Sequence, residues 1–487
     1  MPKFVLLWTD VSIWLLVAAL VAYVVYVRRQ PNLSANWRKV FRNAPALASS
    51  VVLLACLVLT LADSVHLRAL LPPAAGSPAG SVAYDARVQS VLDIALQRLV
   101  DSRESTYSRP LAYRSFTKES IEVDGKLTRQ APRLLHGGAH LQDPGQEWVP
   151  DLAWRAIAGL VAGLALSAAV LALGIAWAAR VARRAWGEVV RELVTGQGDI
   201  PWRAGAVTLL ALGSLVGMVA SLMSHYHVFG TDVTGNDVLY QTLKSIRTAF
   251  VIGTLATLAT LPLAVVLGIM AGYFKGLVDE AIQYLYTVLS SIPNILLIAA
   301  CVLMVQVFID KNPNLFETGV ERADLKLFLL CAVLGLTGWA GLCRLLRGET
   351  LKLRELEYVQ AANAFGISHT RIMVRHIFPN VAHLMLIVTV LEFSALILYE
   401  AVLSYVGVGV DPSMNSFGGM INFSRNEMSR DPVVWWPFAA AFFFMVALVL
   451  AANLFADGVQ EAFDPRARSV KPRVVHKRSK GSGHARG

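Results

Sequence analysis

Charged residues are scarce in this chain. They make up 16% of its 487 residues, whereas hydrophobic residues make up 55%. A soluble globular domain usually carries about 25% charged residues, and its apolar residues recur at helical or strand periods. Here the apolar residues instead form long uninterrupted blocks. This composition excludes an ordinary water-soluble protein.

Cysteine is scarce too, and the motifs of several enzyme classes are missing. The four cysteines (Cys56, Cys301, Cys331 and Cys343) lie in or beside apolar blocks, without the close pairing of a zinc site or redox motif. The chain has no Gly-x-x-x-x-Gly-Lys-Ser/Thr loop for nucleotide phosphates. We therefore expect no catalytic residue, no metal site and no cofactor bound by this chain.

The apolar blocks have the length of membrane spans. A helix needs roughly 20 apolar residues to cross about 30 Å of hydrocarbon. We predict an all-α polytopic membrane protein with about nine transmembrane helices, although Pro293 interrupts one block and another is short. The predicted spans are 8–27, 44–63, 152–179, 205–223, 248–272, 284–308, 326–343, 381–406 and 433–455.

Basic residues predict how the spans are oriented. Lysine and arginine collect on cytoplasmic loops of membrane proteins, which explains the net charge of +10 without nucleic acid as a partner. Arg28 and Arg29 directly follow the first span, so we expect this span to be retained rather than cleaved. Alternation then predicts an N-terminus outside, a cytoplasmic loop at 344–380 and a cytoplasmic C-terminus. The basic tail 464–487 is expected to lie near anionic lipid.

The same pattern divides the chain into segments. Residues 1–63 form a two-span extension, and 64–151 form an extracytoplasmic domain. Within that domain, 71–83 resembles a linker, and Val88–Val100 repeats apolar residues near the helical period, which predicts an amphipathic helix. The expected remainder is a third span with a cytoplasmic linker at 152–204, a transport core at 205–463 and the tail 464–487.

The loop at 357–380 is too polar to span a membrane but is regularly patterned. Leu356, Val359 and Ala362 fall three apart on one helical face. Gly366 is a natural helix stop, Ser368 can cap a second short helix, and Pro379 sets the entry into the next span. These features predict a helix–turn–helix lying across the membrane surface. Composition alone favours an interfacial amphipathic helix without a partner.

This loop resembles the "EAA" loop of ABC-importer permeases, in which Glu-Ala-Ala precedes a glycine and, later, a hydrophobic residue and proline. Gln360-Ala361-Ala362, Gly366 and Phe378-Pro379 occupy those positions, with Gln360 in place of the glutamate. The resemblance implies that the loop docks on a partner ATPase. The residues implied in docking are Glu357, Gln360, Ala361, Ala362, Gly366, Arg371, Arg375, Phe378 and Pro379.

Further stretches resemble the C-type permease subunit of dipeptide, oligopeptide and nickel importers. These stretches are 229–238, 404–412, 416–420 and 457–466. Asn236 replaces the usual arginine in the first, and Phe417 replaces the usual tryptophan in the third. The resemblance covers about 205–466 and implies a six-span permease core behind a three-span N-terminal extension. The signature residues are Gly230, Thr231, Asp232, Gly235, Asp237, Asp457, Gly458, Asp464, Pro465 and Arg466.

The resemblance also implies partners and a location. They are a second, B-type permease subunit, two cytoplasmic ATPase subunits that bind ATP and Mg, an extracytoplasmic solute-binding protein and the lipid bilayer. The expected location is the bacterial cytoplasmic membrane, as a multi-pass protein. The expected function is import of peptides or similar small solutes, in which ATPase closure drives alternating access.

Four residues are candidates for the solute pathway or its gate. Glu392 and Glu400 lie eight apart in an apolar block, where ionisable residues usually face a cavity or a partner. The alternative is a pair with a basic residue on a neighbouring helix. Gly407 and Gly409 are either hinges or sites of close packing. Asp232 and Asp237 favour turn formation over cation binding.

Two other functional classes remain as alternatives. A secondary transporter or channel without an ATPase would carry inverted internal repeats, and no repeat is evident in the sequence. A membrane scaffold or sensor with a degenerate permease core would keep the fold and lose the docking loop. The near-intact loop favours the importer.

Overall fold

The computed structural model describes residues 3–70, 84–123, 126–196, 198–313, 316 and 318–463, and within them the chain is predominantly helical. The helices are α1 Trp8–Arg29, α2 Pro31–Arg42, α3 Ala44–Asp63, α4 Val91–Ala95, α5 Gln97–Asp101, α6 Pro144–Ala182, α7 Trp186–Thr195, α8 Trp202–Met223, α9 Val238–Phe274, α10 Gly276–Ser291, α11 Asn294–Lys311, α12 Gly319–Gly338, α13 Ala340–Arg354, α14 Glu357–Ala364, α15 His369–Ile372, α16 Phe378–Tyr405, α17 Phe417–Glu427 and α18 Trp436–Phe463. The strands are β1 Lys3–Val5, β2 His66–Leu70, β3 Tyr84–Ser90, β4 Glu119–Val123 and β5 Lys126–Gln130.

The membrane-spanning architecture is confirmed. In the part of the chain that the structure describes, eight helices are long and apolar enough to cross a membrane. The pair α12–α13 adds a ninth candidate when its two helices, which meet at a 40° bend, are taken together. The protein is therefore an all-α polytopic membrane protein, as its apolar blocks predict.

Two of the predicted spans differ from single straight helices. The block 284–308 is divided at Ile292 and Pro293, where α10 ends and α11 begins. Proline lacks an N–H and clashes with the preceding turn, so it starts a new helix here instead of continuing the old one. The block 326–343 contains the bend between α12 and α13, at Trp339.

The segment between α3 and α6 forms a small domain of strands and short helices. Strands β1, β2 and β3 make an antiparallel sheet, with Arg68 paired to Val88, and β4 and β5 make a hairpin. The amphipathic helix predicted at Val88–Val100 is confirmed only from Val91 onward, where it is divided into α4 and α5, whereas its first three residues belong to β3. Pairing with β2 holds its first residues extended, and a capping box between Ser90 and Asp93 delays the helix start to Val91.

The ends of the spans define two faces of the protein. On the first, called the domain face, Lys244 of α9 contacts Asp93 of the small domain. On the second, called the loop face, Lys275 just beyond α9 pairs with Glu355 beside α14. Helix α9 thus connects the small domain to the candidate docking loop.

Helices α6 and α8 pack unusually closely through small residues. Gly159 and Gly163 of α6 face Gly213 and Gly217 of α8, and a Cβ added at Gly163 would overlap the carbonyl oxygen of Gly213. Within a membrane, small residues let two helix backbones approach and gain van der Waals contact. This contact fixes α6, the third predicted span of the extension, against α8, the first helix of the predicted core at 205–463.

Two predicted segments lie outside the described residues. They are the linker at 71–83 and the basic tail 464–487, which includes the signature residues Asp464, Pro465 and Arg466.

Candidate functional site

The docking loop, residues 357–378, begins with a helix that ends as predicted. Helix α14 ends at Ala364, and Gly366 follows with φ of +73°. The N–H of Gly366 donates to the Asn363 carbonyl at 3.0 Å, and the N–H of Ile367 donates to the Ala362 carbonyl at 3.1 Å. This paired arrangement satisfies the last carbonyls of the helix and needs a residue that tolerates a left-handed backbone. The structure confirms Gly366 as the helix stop.

The underside of the loop is fixed to the permease core. Val359, Ala362, Ile372 and Ile377 are buried in one hydrophobic cluster with residues of α9 and α13. Ala362 is only 6% exposed, so the expectation that both alanines of the motif face a partner is wrong for this one. Its small side chain instead lets α14 lie close against the core.

The outer surface of the loop is exposed and partly apolar. Phe365 is 87% exposed and Val374 is 63% exposed. Single exposed apolar side chains are common on protein surfaces, so these two are candidates for a partner contact only together with the resemblance of the loop. Neither residue belongs to the predicted docking set, whose exposed members are Glu357, Gln360, Ala361, Gly366, Arg371, Arg375, Phe378 and Pro379.

Polar contacts tie the loop to the end of α9. The hydroxyl of Tyr273 lies 2.8 Å from Nδ1 of His369, and Arg354 donates to the Tyr273 carbonyl at 2.7 Å. The side-chain amide of Gln360 donates to the carbonyl of Glu355 at 3.2 Å. A deprotonated glutamate has no donor for this bond, which distinguishes the present loop from the usual motif.

The second half of the loop is continuous with the next span, which corrects the prediction of a separate short helix. After α15 the chain makes one π-helical turn at Met373–Ile377 and runs directly into α16. The N–H of Phe378 donates to the Met373 carbonyl across this wider turn, which accommodates Pro379 without a break. Ser368 precedes α15, but its side chain makes no capping bond. A displacement of the loop would therefore be passed directly to α16.

On the domain face, the signature loop at 230–237 forms a tight turn. Asp232 accepts hydrogen bonds from the backbone of Thr234 and Asn236, and Asp237 caps α9 by accepting from the N–H groups of Leu239 and Tyr240. The described residues contain no group of three metal-ligating side chains suited to a metal ion. The structure confirms that these aspartates form the turn and cap.

The same loop is where the small domain meets the permease core. Gly230 and Gly235 both have positive φ, and a Cβ on either would overlap a backbone oxygen of the small domain, at Ser108 and Glu104 respectively. The hydroxyl of the buried Thr231 donates to the Thr106 carbonyl at 2.8 Å. The signature glycines therefore permit close contact with the added domain.

A buried histidine links the two parts electrostatically. His227 lies between Glu104 of the small domain and Asp237, with Nε2 at 3.4 Å from the first and Nδ1 at 2.7 Å from the second. Burial alone lowers the pKa of His227, but the bonds to Asp237 and Glu104 outweigh it and raise the pKa to about 9.

The pKa of Glu104 moves in the opposite direction. Burial alone raises it, but the bond from His227 and three backbone N–H donors at Leu135, His136 and Gly137 lower it to about 2. The pair is therefore charged in neutral solution. His136 faces this contact through its backbone N–H, and Gly137 follows it outside any helix.

A second buried charge cluster, here called the clasp, was missed by the sequence analysis. Arg247 of α9 donates to Asp10 of α1 at 2.6 Å and lies 3.7 Å from Asp324 of α12. The backbone N–H of Thr9 donates to Asp324 at 3.0 Å, and His66 lies 2.7 Å from the other oxygen of Asp10. The available signal was a set of charged residues at the ends of apolar blocks, which usually pair with one another.

The candidate pathway glutamates occupy different surroundings. Glu400 is 2% exposed beneath α17 and accepts from the Ser404 hydroxyl at 2.6 Å. Glu392 is exposed on the surface of the isolated chain. Among the described residues neither has a basic partner, so the alternative of a pair with arginine or lysine is wrong.

The two candidate hinge glycines differ as well. Gly407 ends α16 with φ of +87° and open space around its Cα, so it serves the turn. A Cβ at Gly409 would overlap the Ser404 side chain and backbone, so this glycine serves close packing. Both line a cavity of about 1200 Å³ on the domain face, which lies between α11, α17, the 404–416 segment and the small domain.

The last signature begins at the loop-face end of α18. Asp457 is exposed, whereas Gly458 is buried and a Cβ there would overlap the side chain of Ala46 in α3. This glycine thus allows α18 to cross the extension closely.

The chain is similar to a known family and to several curated proteins. Residues 264–469 match the family model described as binding-protein-dependent transport system inner membrane component. The oligopeptide transport system permease protein OppC of Haemophilus influenzae is 30% identical over 249 residues, covering 51% of this chain and 73% of the relative.

Two further relatives extend the comparison. The OppC protein of Mycobacterium tuberculosis is 32% identical over 245 residues, covering 50% of this chain and 78% of the relative. The dipeptide transport system permease protein DppC of Lactococcus lactis subsp. cremoris is 30% identical over 243 residues, covering 50% of this chain and 64% of the relative.

Proposed function

Because this chain belongs to the binding-protein-dependent inner membrane components, as a C-type permease of the peptide-transport ABC importers, we propose that its docking loop couples a partner ATPase to solute import. The observation that carries this proposal is the construction of the loop. Its outer surface is exposed and partly apolar, while its underside is buried against α9 and α13.

In this proposal the loop moves as a rigid unit. Closure of two ATPase subunits on ATP displaces α14, and the continuous backbone through the π turn passes the displacement to α16. The contact of Tyr273 with His369 passes it to α9. The result is a switch between two states biased by ATP, in which this chain needs no catalytic residue.

The proposed assembly contains a B-type permease, two ATPases and an extracytoplasmic solute-binding protein in a bacterial cytoplasmic membrane. The exposed Glu392 of α16 would face the second permease or the solute path. The proposed solute is a peptide, because the relatives' printed names refer to oligopeptide and dipeptide transport.

Substitution of Phe365 tests the docking proposal. The side chain is 87% exposed, so Phe365→Glu should leave the fold intact while placing a charge in an apolar contact. We expect loss of ATPase co-purification and at least a tenfold loss of ATP-driven peptide uptake in proteoliposomes. The matched control is Leu277→Glu in α10, where the original side chain is 84% exposed.

The outcomes separate the functional classes. Unchanged ATPase association and uptake in Phe365→Glu would overturn the docking proposal. Uptake that proceeds without any ATPase subunit would instead support a secondary transporter or channel. Association without solute uptake in the unsubstituted protein would support a scaffold or sensor.

A further inference from the structure

The cavity on the domain face is walled partly by the small domain. The polar residues that the domain contributes are Arg87, Arg103 and Tyr107, and those from the permease core include Gln306 of α11 and Arg425 of α17. The family model begins at residue 264, so these three domain residues lie outside it. The domain thus adds chemistry to a compartment that the matched core does not build alone.

The acidic residues of the cavity wall are all engaged within the protein. Asp237 pairs with His227, and Asp411 lies 3.5 Å from Lys326. Glu427 pairs with Arg430 at 2.7 Å. The remaining acid, Asp232, accepts the hydrogen bonds of the turn and one more from the Gln241 side chain. These carboxylates therefore have little capacity left for a ligand.

The arginines of the wall are not neutralised in the same way. The wall contains Arg87, Arg103 and Arg425. Among the described residues, none of these arginines has a carboxylate within ion-pair distance. Arg103 donates to the carbonyl of Thr234 at 2.8 Å, and Arg425 stacks 5.0 Å from the ring centre of Tyr405. Arg87 is exposed at the cavity rim. The unpaired charge of the cavity is therefore positive, which favours an anionic group.

One buried polar atom in the wall lacks a partner. The side-chain oxygen of Gln306 is buried and makes no hydrogen bond among the described residues. Buried polar atoms usually have a hydrogen-bond partner, because leaving them unsatisfied is costly. The hydroxyl of Tyr107, which is 2% exposed, lies beside the Glu427 side chain, so it is engaged within the wall.

From these observations we propose that the cavity holds the carboxylate of the incoming solute, with Arg103 of the small domain and Arg425 of the core as its recognition residues. This inference rests on the proposed import function and adds to it a role for the small domain as the selective wall. Guanidinium groups suit this role because their fixed donors match a carboxylate in pairs. Solutes with a free carboxylate are then favoured over neutral analogues.

Direct binding to the full-length chain in lipid nanodiscs tests the proposal. The probes are trialanine and trialanine amide, which share the amine and differ in the terminal carboxylate. Saturation-transfer NMR should give a signal at least threefold stronger for trialanine. In Arg103→Gln and Arg425→Gln this preference should disappear, whereas Arg103→Lys should retain part of it. The matched control is Arg129→Gln, on the hairpin strand β5 and outside the cavity wall.

Equal signals from the two probes, or an unchanged preference in both glutamine variants, would overturn the inference. The uptake assay with Phe365→Glu is independent of this measurement. If binding depends on the carboxylate but uptake does not need the ATPase, the proposed coupling is wrong and the inference about the cavity holds. If binding does not depend on the carboxylate but uptake depends on Phe365, the inference about the cavity is wrong and the proposed coupling holds.

Discussion

Nδ1 of His227 lies 2.7 Å from Oδ2 of Asp237, the residue that caps α9. The same imidazole faces Glu104 of the small domain, so one charged side chain holds the domain, the signature loop and the first turn of a membrane span together. This arrangement makes the seating of the domain dependent on pH.

The direction of the pH dependence follows from the two pKa values. His227 has a raised pKa of about 9 against a usual 6.5, so its contribution is complete below pH 6.5 and is lost as the pH rises through 9. Glu104 has a lowered pKa of about 2 against 4.5, so its contribution is complete above pH 4.5 and is lost as the pH falls through 2. Seating should be tightest between these limits.

Hydrogen exchange can measure this dependence. After correction for intrinsic rates, protection of the amides of Leu135, His136 and Gly137 should decline between pH 6.5 and 9, with a free-energy change on the order of 1–3 kcal/mol. In His227→Gln the decline should be absent. A wild-type profile that stays flat over this interval would contradict the prediction.

The close approach at Gly235 predicts a strong effect of a single methyl group. Gly235→Ala adds a left-handed alanine and an overlap with the Glu104 backbone, which together should destabilise the protein by about 2–4 kcal/mol. Gly407→Ala is the matched control, because it has the same backbone requirement in open space and should cost only about 1 kcal/mol. Thermal unfolding in one detergent compares them, and equal shifts would argue against the close contact.

The packing of α6 on α8 makes a similar comparison possible within one helix. Gly163→Ala should destabilise the protein by about 1–3 kcal/mol, since the added methyl group would push the helices apart. Gly174→Ala has no atom within 4 Å of the added carbon and should be neutral or slightly stabilising. The same unfolding assay applies. A larger loss in the Gly174 variant would contradict the helix packing.

Restoring the usual glutamate tests whether charge or shape governs docking. Gln360→Glu loses the bond to the Glu355 carbonyl and places two exposed carboxylates near each other, so the stability cost should stay below about 1 kcal/mol. We expect the amount of co-purified ATPase to stay within about twofold of the original, because a solvent-exposed charge contributes little to a contact. A tenfold rise or fall in co-purified ATPase would show that charge dominates docking at this position.

The sequence was most informative where the physics is local. Uninterrupted apolar blocks predicted the spans, because the length of a membrane helix is set by the bilayer. Gly366 was recognisable as a helix stop, because only glycine adopts the left-handed turn cheaply. The division of the 284–308 block into α10 and α11 falls at Pro293, the proline that interrupts this block in the sequence.

Contacts between distant residues could not be predicted in this way. Glu104 and His227 lie 123 positions apart, and no local pattern links them. The short strands β2 and β3 were missed because the pairing of Arg68 with Val88, not propensity, holds them extended. The burial of Ala362 depends on where α9 and α13 lie, which the loop's own sequence does not contain.

The clasp has a consequence for biogenesis. Asp10 enters the membrane with α1 and precedes its partner Arg247 by 237 residues. During synthesis, Asp10 can therefore contact His66 first, and it gains its arginine partner only when α9 emerges from the ribosome. A chain interrupted before α9 would leave this buried carboxylate without its guanidinium partner, which is strongly destabilising.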